Sequence, residues 1–102
     1  MRAVRMTAPG VLEPVEVAVP TAGPGEVLLR VGAVGACHSD LHILDAPRGT
    51  FPVPMTLGHE IAGTVDQVGP GVAGWSTGDR TAVYGIIGCG HCRACLRGLE
   101  NQ

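Results

Sequence analysis

Apolar positions along this chain fall in short runs broken by Gly and Pro, not at the three-to-four spacing of long helices. Residues 3–6 (Ala-Val-Arg-Met) predict a short opening strand. Residues 15–19 (Val-Glu-Val-Ala-Val) begin with the apolar–polar alternation of a half-buried strand. Turn residues fill 20–25, and 26–34 predict a longer strand. Gly35-Ala36-Cys37 ends that strand, after which 39–44 predict one or two helical turns. Residues 47–54 read as a loop, 61–68 as a strand, 69–78 as a loop and 80–84 as a further strand. The stretch 85–101 is a lobe of Gly and Cys. These elements predict a mainly β fold, a small, partly open barrel with short helical turns, whose loops carry the polar groups.

Composition narrows this picture. The 102 residues make one small domain with a limited core. Phe51, Trp75 and Tyr84 are the only aromatic residues, so the core must come from Val, Leu, Ile and Ala. The formal net charge is −2 and no basic cluster appears, which argues against a nucleic-acid partner. No apolar run is long enough to cross a bilayer, and Met1-Arg-Ala-Val opens no export signal. The expected location is therefore the cytoplasm.

Chemistry concentrates in two places. Cys89, Cys92 and Cys95 lie at steps of three, a spacing at which thiols converge on one metal ion. A disulfide set is the competing reading; without an export signal, zinc is preferred. Zinc in a structural site takes four ligands, and the run supplies three, so the chain is expected to be a piece of a longer protein. The second constellation is Cys37-His38-Ser39-Asp40-Leu41-His42 with Gly58-His59-Glu60. Cys37 closes one strand-like run and His59 opens another. A thiolate and an imidazole suit a zinc that keeps a position open for water or substrate. Glu60 is placed either to bind that metal or to stand behind its ligands. Duller readings exist for each residue: Cys37 as a small buried hydrophobe, Ser39 or Asp40 as a helix cap, His42 as surface cover. Gly69-Pro-Gly71-Val-Ala-Gly74 matches the letters of a dinucleotide fingerprint, but a turn and a strand follow it instead of a helix. It is read as a loop, and no nucleotide-binding half is expected here.

These motifs together resemble the N-terminal GroES-like catalytic domain of zinc-dependent medium-chain alcohol dehydrogenases, with some likeness to bacterial secondary-alcohol enzymes. The resemblance rests on Cys37-His38-Ser39-Asp40, Gly58-His59-Glu60, Val68 to Val72, Gly78-Asp79-Arg80 and the lobe from Gly88 to Cys95 trailing into Asn101. It spans essentially residues 1–102. It implies Cys37 and His59 as ligands of a catalytic zinc, Glu60 as the acid beside it, and Asp40 as the carboxylate that orients the ligating His. It implies Ser39 as the hydroxyl that takes the alcohol proton, His42 as the relay to solvent, and His38 against the cofactor's pyrophosphate. Cys89, Cys92 and Cys95 would hold a structural zinc. The third catalytic-zinc ligand, the fourth structural cysteine (expected at position 103) and the NAD- or NADP-binding domain would lie past Gln102. The implied function is oxidation of a small alcohol to an aldehyde or ketone by a homo-oligomeric parent, the 102 residues alone being inactive. The alternative is a non-catalytic zinc module on the same scaffold.

Overall fold

A computed structural model describes residues 1–100. The fold is mainly β, built as two three-stranded antiparallel sheets that do not close into a barrel. In the first sheet β1 (Arg2–Ala8) lies between β2 (Val11–Glu16) and β4 (Met55–Thr56). In the second, β5 (Glu60–Val68) lies between β3 (Val27–Gly35) and β6 (Arg80–Ala82). The one α-helix among the described residues, α1 (His38–Leu44), follows β3 closely. A short 3-10 turn, Cys95–Arg97, ends the lobe. The tail of the resemblance at Asn101 lies outside the described residues.

Most strands sit where the apolar pattern put them, within a residue or two. Two differ. The second strand begins at Val11 and ends at Glu16, earlier than the alternation at 15–19 predicts. The reason is its partner: β1 starts at Arg2, which pairs with Glu16, so the ladder ends there after Val17 N–H donates to the Met1 carbonyl at 2.9 Å. Pro14 is tolerated inside β2 because this is an edge strand, where a missing N–H costs no ladder bond on the open side. The two-residue β4 had no signal; it exists only through Arg5–Thr56 and Met6–Met55 pairing with β1. The last strand stops at Ala82, short of 84.

The central strand of each sheet supplies one fully buried apolar side chain, Met6 in β1 and Val65 in β5. The only buried charged residue among those described is Asp40. Two features of this frame bring the chemistry together. Gly35 at the end of β3 pairs with Glu60 at the start of β5, so the residues just beyond each strand end meet. The three residues 57–59 also form the whole link between β4 and β5, which pins His59 between the two sheets.

A candidate metal centre and a thiol lobe

Cys37 stands between β3 and α1 and is the N-cap of the helix. Ser39 is therefore not the cap; it lies in the first turn, exposed. Asp40, three residues after the cap, accepts the Cys37 N–H at 2.9 Å through Oδ2. Its Oδ1 accepts the Gly58 N–H at 3.1 Å and faces His59 Nδ1 at 3.5 Å. One carboxylate thus caps the helix, holds the loop that carries His59, and addresses the His59 ring. The Cys37 and Gly58 amides hold the Asp40 carboxyl below the usual range, with the neighbouring imidazole adding to them against the cost of burial.

With Nδ1 toward Asp40, His59 Nε2 points at Cys37 Sγ, 3.3 Å away. Two ligands on a tetrahedral zinc with Zn–S near 2.3 Å and Zn–N near 2.0 Å stand about 3.5 Å apart. The Cys37–His59 spacing fits that ion, and a carboxylate on the ring's other nitrogen is the usual arrangement behind a zinc-bound His. Cys37, Asp40 and His59 bring one donor atom each within 4.8 Å of one another.

Gly58 makes this approach possible. Its φ is +93°, and a Cβ there would stand 2.6 Å from Val34 Cγ2. Glu60 does not join the cluster; its carboxylate lies over Gly35, where any Cβ would collide with Oε2. His38 and His42 are neighbours across one turn of α1, their rings 5.3 Å apart and tilted 53°. Both are exposed, and no hydrogen bond joins Ser39 to His42.

An apolar cavity of about 530 Å³ opens beside Cys37, walled by Val4, Leu12, Val34, Leu41, Leu44 and Leu57. Val4 and Leu12 come from the first hairpin, far away in sequence, and nothing in the local pattern marked them. A second recess of about 400 Å³ is lined by His59, Glu60, Val83 and Gly85.

In the tail, Cys89 and Cys95 sulfurs are 3.9 Å apart and those of Cys92 and Cys95 3.5 Å apart. All three gather within 4.8 Å. The Cys92 N–H donates to Cys89 Sγ at 3.3 Å and the Cys95 N–H to Cys92 Sγ at 3.5 Å. The Cys95 amide, with the neighbouring thiols and the Ala94 amide, brings the Cys92 thiol down to about 7. Sulfurs on a tetrahedral zinc sit about 3.8 Å apart, so this triangle fits three corners of such a site. His91 turns away: its Nδ1–H donates to the Cys89 carbonyl at 2.7 Å.

Together the two antiparallel sheets carry a Cys–His pair backed by a carboxylate and a separate thiol lobe, two donor sets that could each hold a metal ion. The chain belongs to the alcohol dehydrogenase GroES-like domain family, whose model matches residues 23–102. It is 46% identical over 102 aligned residues to L-threonine 3-dehydrogenase of Pyrococcus horikoshii, covering 96% of this chain and 29% of that protein. The cobalt- and zinc-bound thermostable alcohol dehydrogenase of Pyrobaculum aerophilum superposes with a TM-score of 0.90 at 42% identity, over 100% of this chain and 32% of the other. An Escherichia coli alcohol dehydrogenase solved with NADH superposes at 0.84 with 39% identity, over 99% of this chain and 29% of the other. The chain thus spans about three tenths of the length of these relatives.

Proposed function

We propose that the chain is the catalytic-domain portion, residues 1–102, of a zinc-dependent alcohol dehydrogenase that passes hydride from an alcohol to NAD or NADP. The observation that carries this reading is the Cys37 Sγ–His59 Nε2 pair at 3.3 Å with the buried Asp40 carboxylate behind the ring. Zinc held there supplies the Lewis acidity that lets an alcohol lose its proton near neutral pH. Cys37 and His59 are its ligands from this chain. Asp40 fixes the His59 tautomer by accepting the Nδ1–H, which stays on the ring. Ser39, exposed in the first turn of α1, accepts the alcohol proton, and His42, one turn on, passes it to solvent. His38 meets the cofactor's pyrophosphate. Glu60 follows His59 in sequence but holds its carboxylate over Gly35, outside the donor cluster, and is given no contact with the metal. Cys89, Cys92 and Cys95 contribute to a structural zinc site.

The substrate class follows from chemistry shared by the relatives. Threonine oxidised at C3 is a secondary alcohol, and so a small secondary alcohol is the first substrate to try. The whole protein is proposed to act as a cytoplasmic homo-oligomer. No helix among the described residues is long and apolar enough to cross a membrane. The other reading, a non-catalytic zinc module, draws on the same donor sets.

The test is to assay a zinc-loaded protein that carries this chain for NAD- or NADP-linked oxidation of small secondary alcohols, L-threonine included. Turnover that vanishes in Cys37→Ala is expected. Zinc binding at both clusters without turnover of any alcohol would favour the non-catalytic module.

A further inference from the structure

Of the four histidines, two are engaged by their surroundings: His59 by Cys37 and Asp40, and His91 by the Cys89 carbonyl. His38 and His42 remain. We propose that these two form a site for a divalent transition-metal ion of the zinc and nickel kind, held by one ring nitrogen of each and separate from both donor sets described above. The site does not depend on the dehydrogenase reading. Both ligands come from one helix, so it needs nothing beyond α1.

The argument begins with spacing. Residues four apart on an α-helix lie on one face, a turn above each other, and two histidines so placed can grip one zinc ion. His38 is the first residue of α1 and His42 the fifth. Their ring centroids are 5.3 Å apart, with the planes tilted by 53°. Two imidazoles bound to a tetrahedral ion at about 2.05 Å hold their centroids roughly 5.2 Å apart. The rings thus already stand at chelating distance.

Access and rigidity agree with this. Both residues are exposed, and among the described residues neither ring makes a hydrogen bond or an ion pair. The helix that carries them is pinned at its start. Asp40 accepts the Cys37 N–H at 2.9 Å and the Gly58 N–H at 3.1 Å. A ligand that meets a fixed backbone has less freedom to remove on binding.

The donor chemistry sets this pair apart. It offers nitrogen alone, whereas the tail offers sulfur and the Cys37 set mixes sulfur, nitrogen and carboxylate oxygen. Neither His38 nor His42 joins the cluster of Cys37, Asp40 and His59. Imidazole suits zinc, copper and nickel, and thiolates take such ions more tightly. The sulfur-bearing sets therefore fill first, and the histidine pair takes a later, more weakly held ion with water in its other positions. In the dehydrogenase reading His38 meets the pyrophosphate and His42 passes the proton, so an ion on both rings would take them from those roles. That consequence rests on the reading; the site does not.

The experiment adds nickel(II) to the zinc-loaded 102-residue chain, at a pH above the ordinary histidine range. Bound nickel is read by equilibrium dialysis and the histidine ring protons by NMR. One nickel per chain is expected to shift or broaden the His38 and His42 signals together, at concentrations that leave His91 unmoved. His38→Gln and His42→Gln should each weaken nickel binding roughly tenfold or more, since a chelate becomes a single ligand. His91→Gln should not change it. Equal binding by His42→Gln and wild type would overturn the proposal. So would nickel that enters the thiols, seen as sulfur-to-nickel absorption, while the His38 and His42 signals stay in place. The ring-proton reading uses the wild-type chain alone, so it holds however the variants fold.

Discussion

Asp40 carries three duties on one carboxylate, and this makes it the most informative residue to change. It accepts amides from two loops, at Cys37 and Gly58, and faces the His59 ring. Asp40→Asn keeps the size but replaces one acceptor oxygen by a donor, which cannot face both amides. Zinc retention under a competing chelator should fall about 10–100-fold, the usual cost of losing a carboxylate behind a ligating His. Unchanged retention would show that the carboxylate does nothing for His59. The lowered carboxyl pKa also has a pH signature. Its stabilisation is complete above the unfolded value of about 4 and is lost as pH falls through the folded value. Thermal scans of the metal-free chain should therefore show Asp40→Asn flattening the acid-side loss of stability. Ser39→Ala, in a protein that carries the chain, should keep its zinc yet lose about 10²–10⁴-fold in rate, as loss of a general acid–base group does. Loss of zinc instead would make Ser39 structural. At this scale the sequence was legible where residue types are rare. Cys37 and His59 are natural ligands and stand out singly. Asp40 was read as either a cap or a carboxylate behind the metal; the structure shows it accepting the N–H of Cys37, the N-cap of α1, while its other oxygen faces the His59 ring. The placement of Glu60 over Gly35 was not legible, since it depends on the register of β3 against β5.

Elements bring these residues together through close backbone approaches, and two glycines mark where. Gly58 needs both a positive φ and the space beside Val34. Gly69 needs space alone: its N–H donates to the Glu26 carbonyl at 2.9 Å, and a Cβ would overlap the Gly23 carbonyl oxygen. That contact ties the end of β5 to the turn that starts β3. Gly58→Ala combines backbone strain of about 1–3 kcal/mol with a clash that Val34 can only partly relieve. The loss should appear in urea unfolding as a lower midpoint, and His59 should lose zinc along with it. Gly69→Ala should destabilise without a specific effect on zinc, since it lies away from both clusters. A Gly58→Ala chain with wild-type stability would mean the loop has room that the structure does not give it. The same logic separates what pattern could foretell from what it could not. β3 and β5 were visible because each is long and apolar. β4 was invisible because two residues have no period, and β2 was displaced because the partner's start, not the alternation, ends the ladder. Gly69 belongs to the run that mimics a dinucleotide fingerprint, and no helix follows it: the chain turns and enters β6.

At the scale of the whole molecule, the surface is too large for the mass. A compact monomer of 10.4 kDa exposes about 5,400 Å², while this chain exposes 7479 Å². The radius of gyration is 15.6 Å, against about 13 Å for a compact domain of this length. The excess is apolar in part: Val4, Leu12, Val34 and Leu41 stand exposed around the cavity beside Cys37, and Tyr84, Ile86, Ile87 and Leu96 around the lobe. Among the described residues, only Met6 and Val65 are fully buried apolar side chains. The expectation of a Val, Leu, Ile and Ala core holds for Val65 and misses Met6, and the other residues of those types mostly line open faces. Surfaces of this sort either meet another surface or aggregate. The isolated 102-residue chain should therefore be weakly stable, bind a dye for exposed apolar surface such as ANS, and associate with rising concentration. It should also fail to oxidise any alcohol with NAD or NADP, since positioning of hydride donor and acceptor supplies much of such a rate. Dye binding and sedimentation check the first part, and a nicotinamide absorbance assay the second. A monomer with a sharp thermal transition and no dye binding would show that the faces close in solution. Turnover by the 102-residue chain would show that these residues alone position both reactants, and would overturn the view of them as one portion of the catalyst.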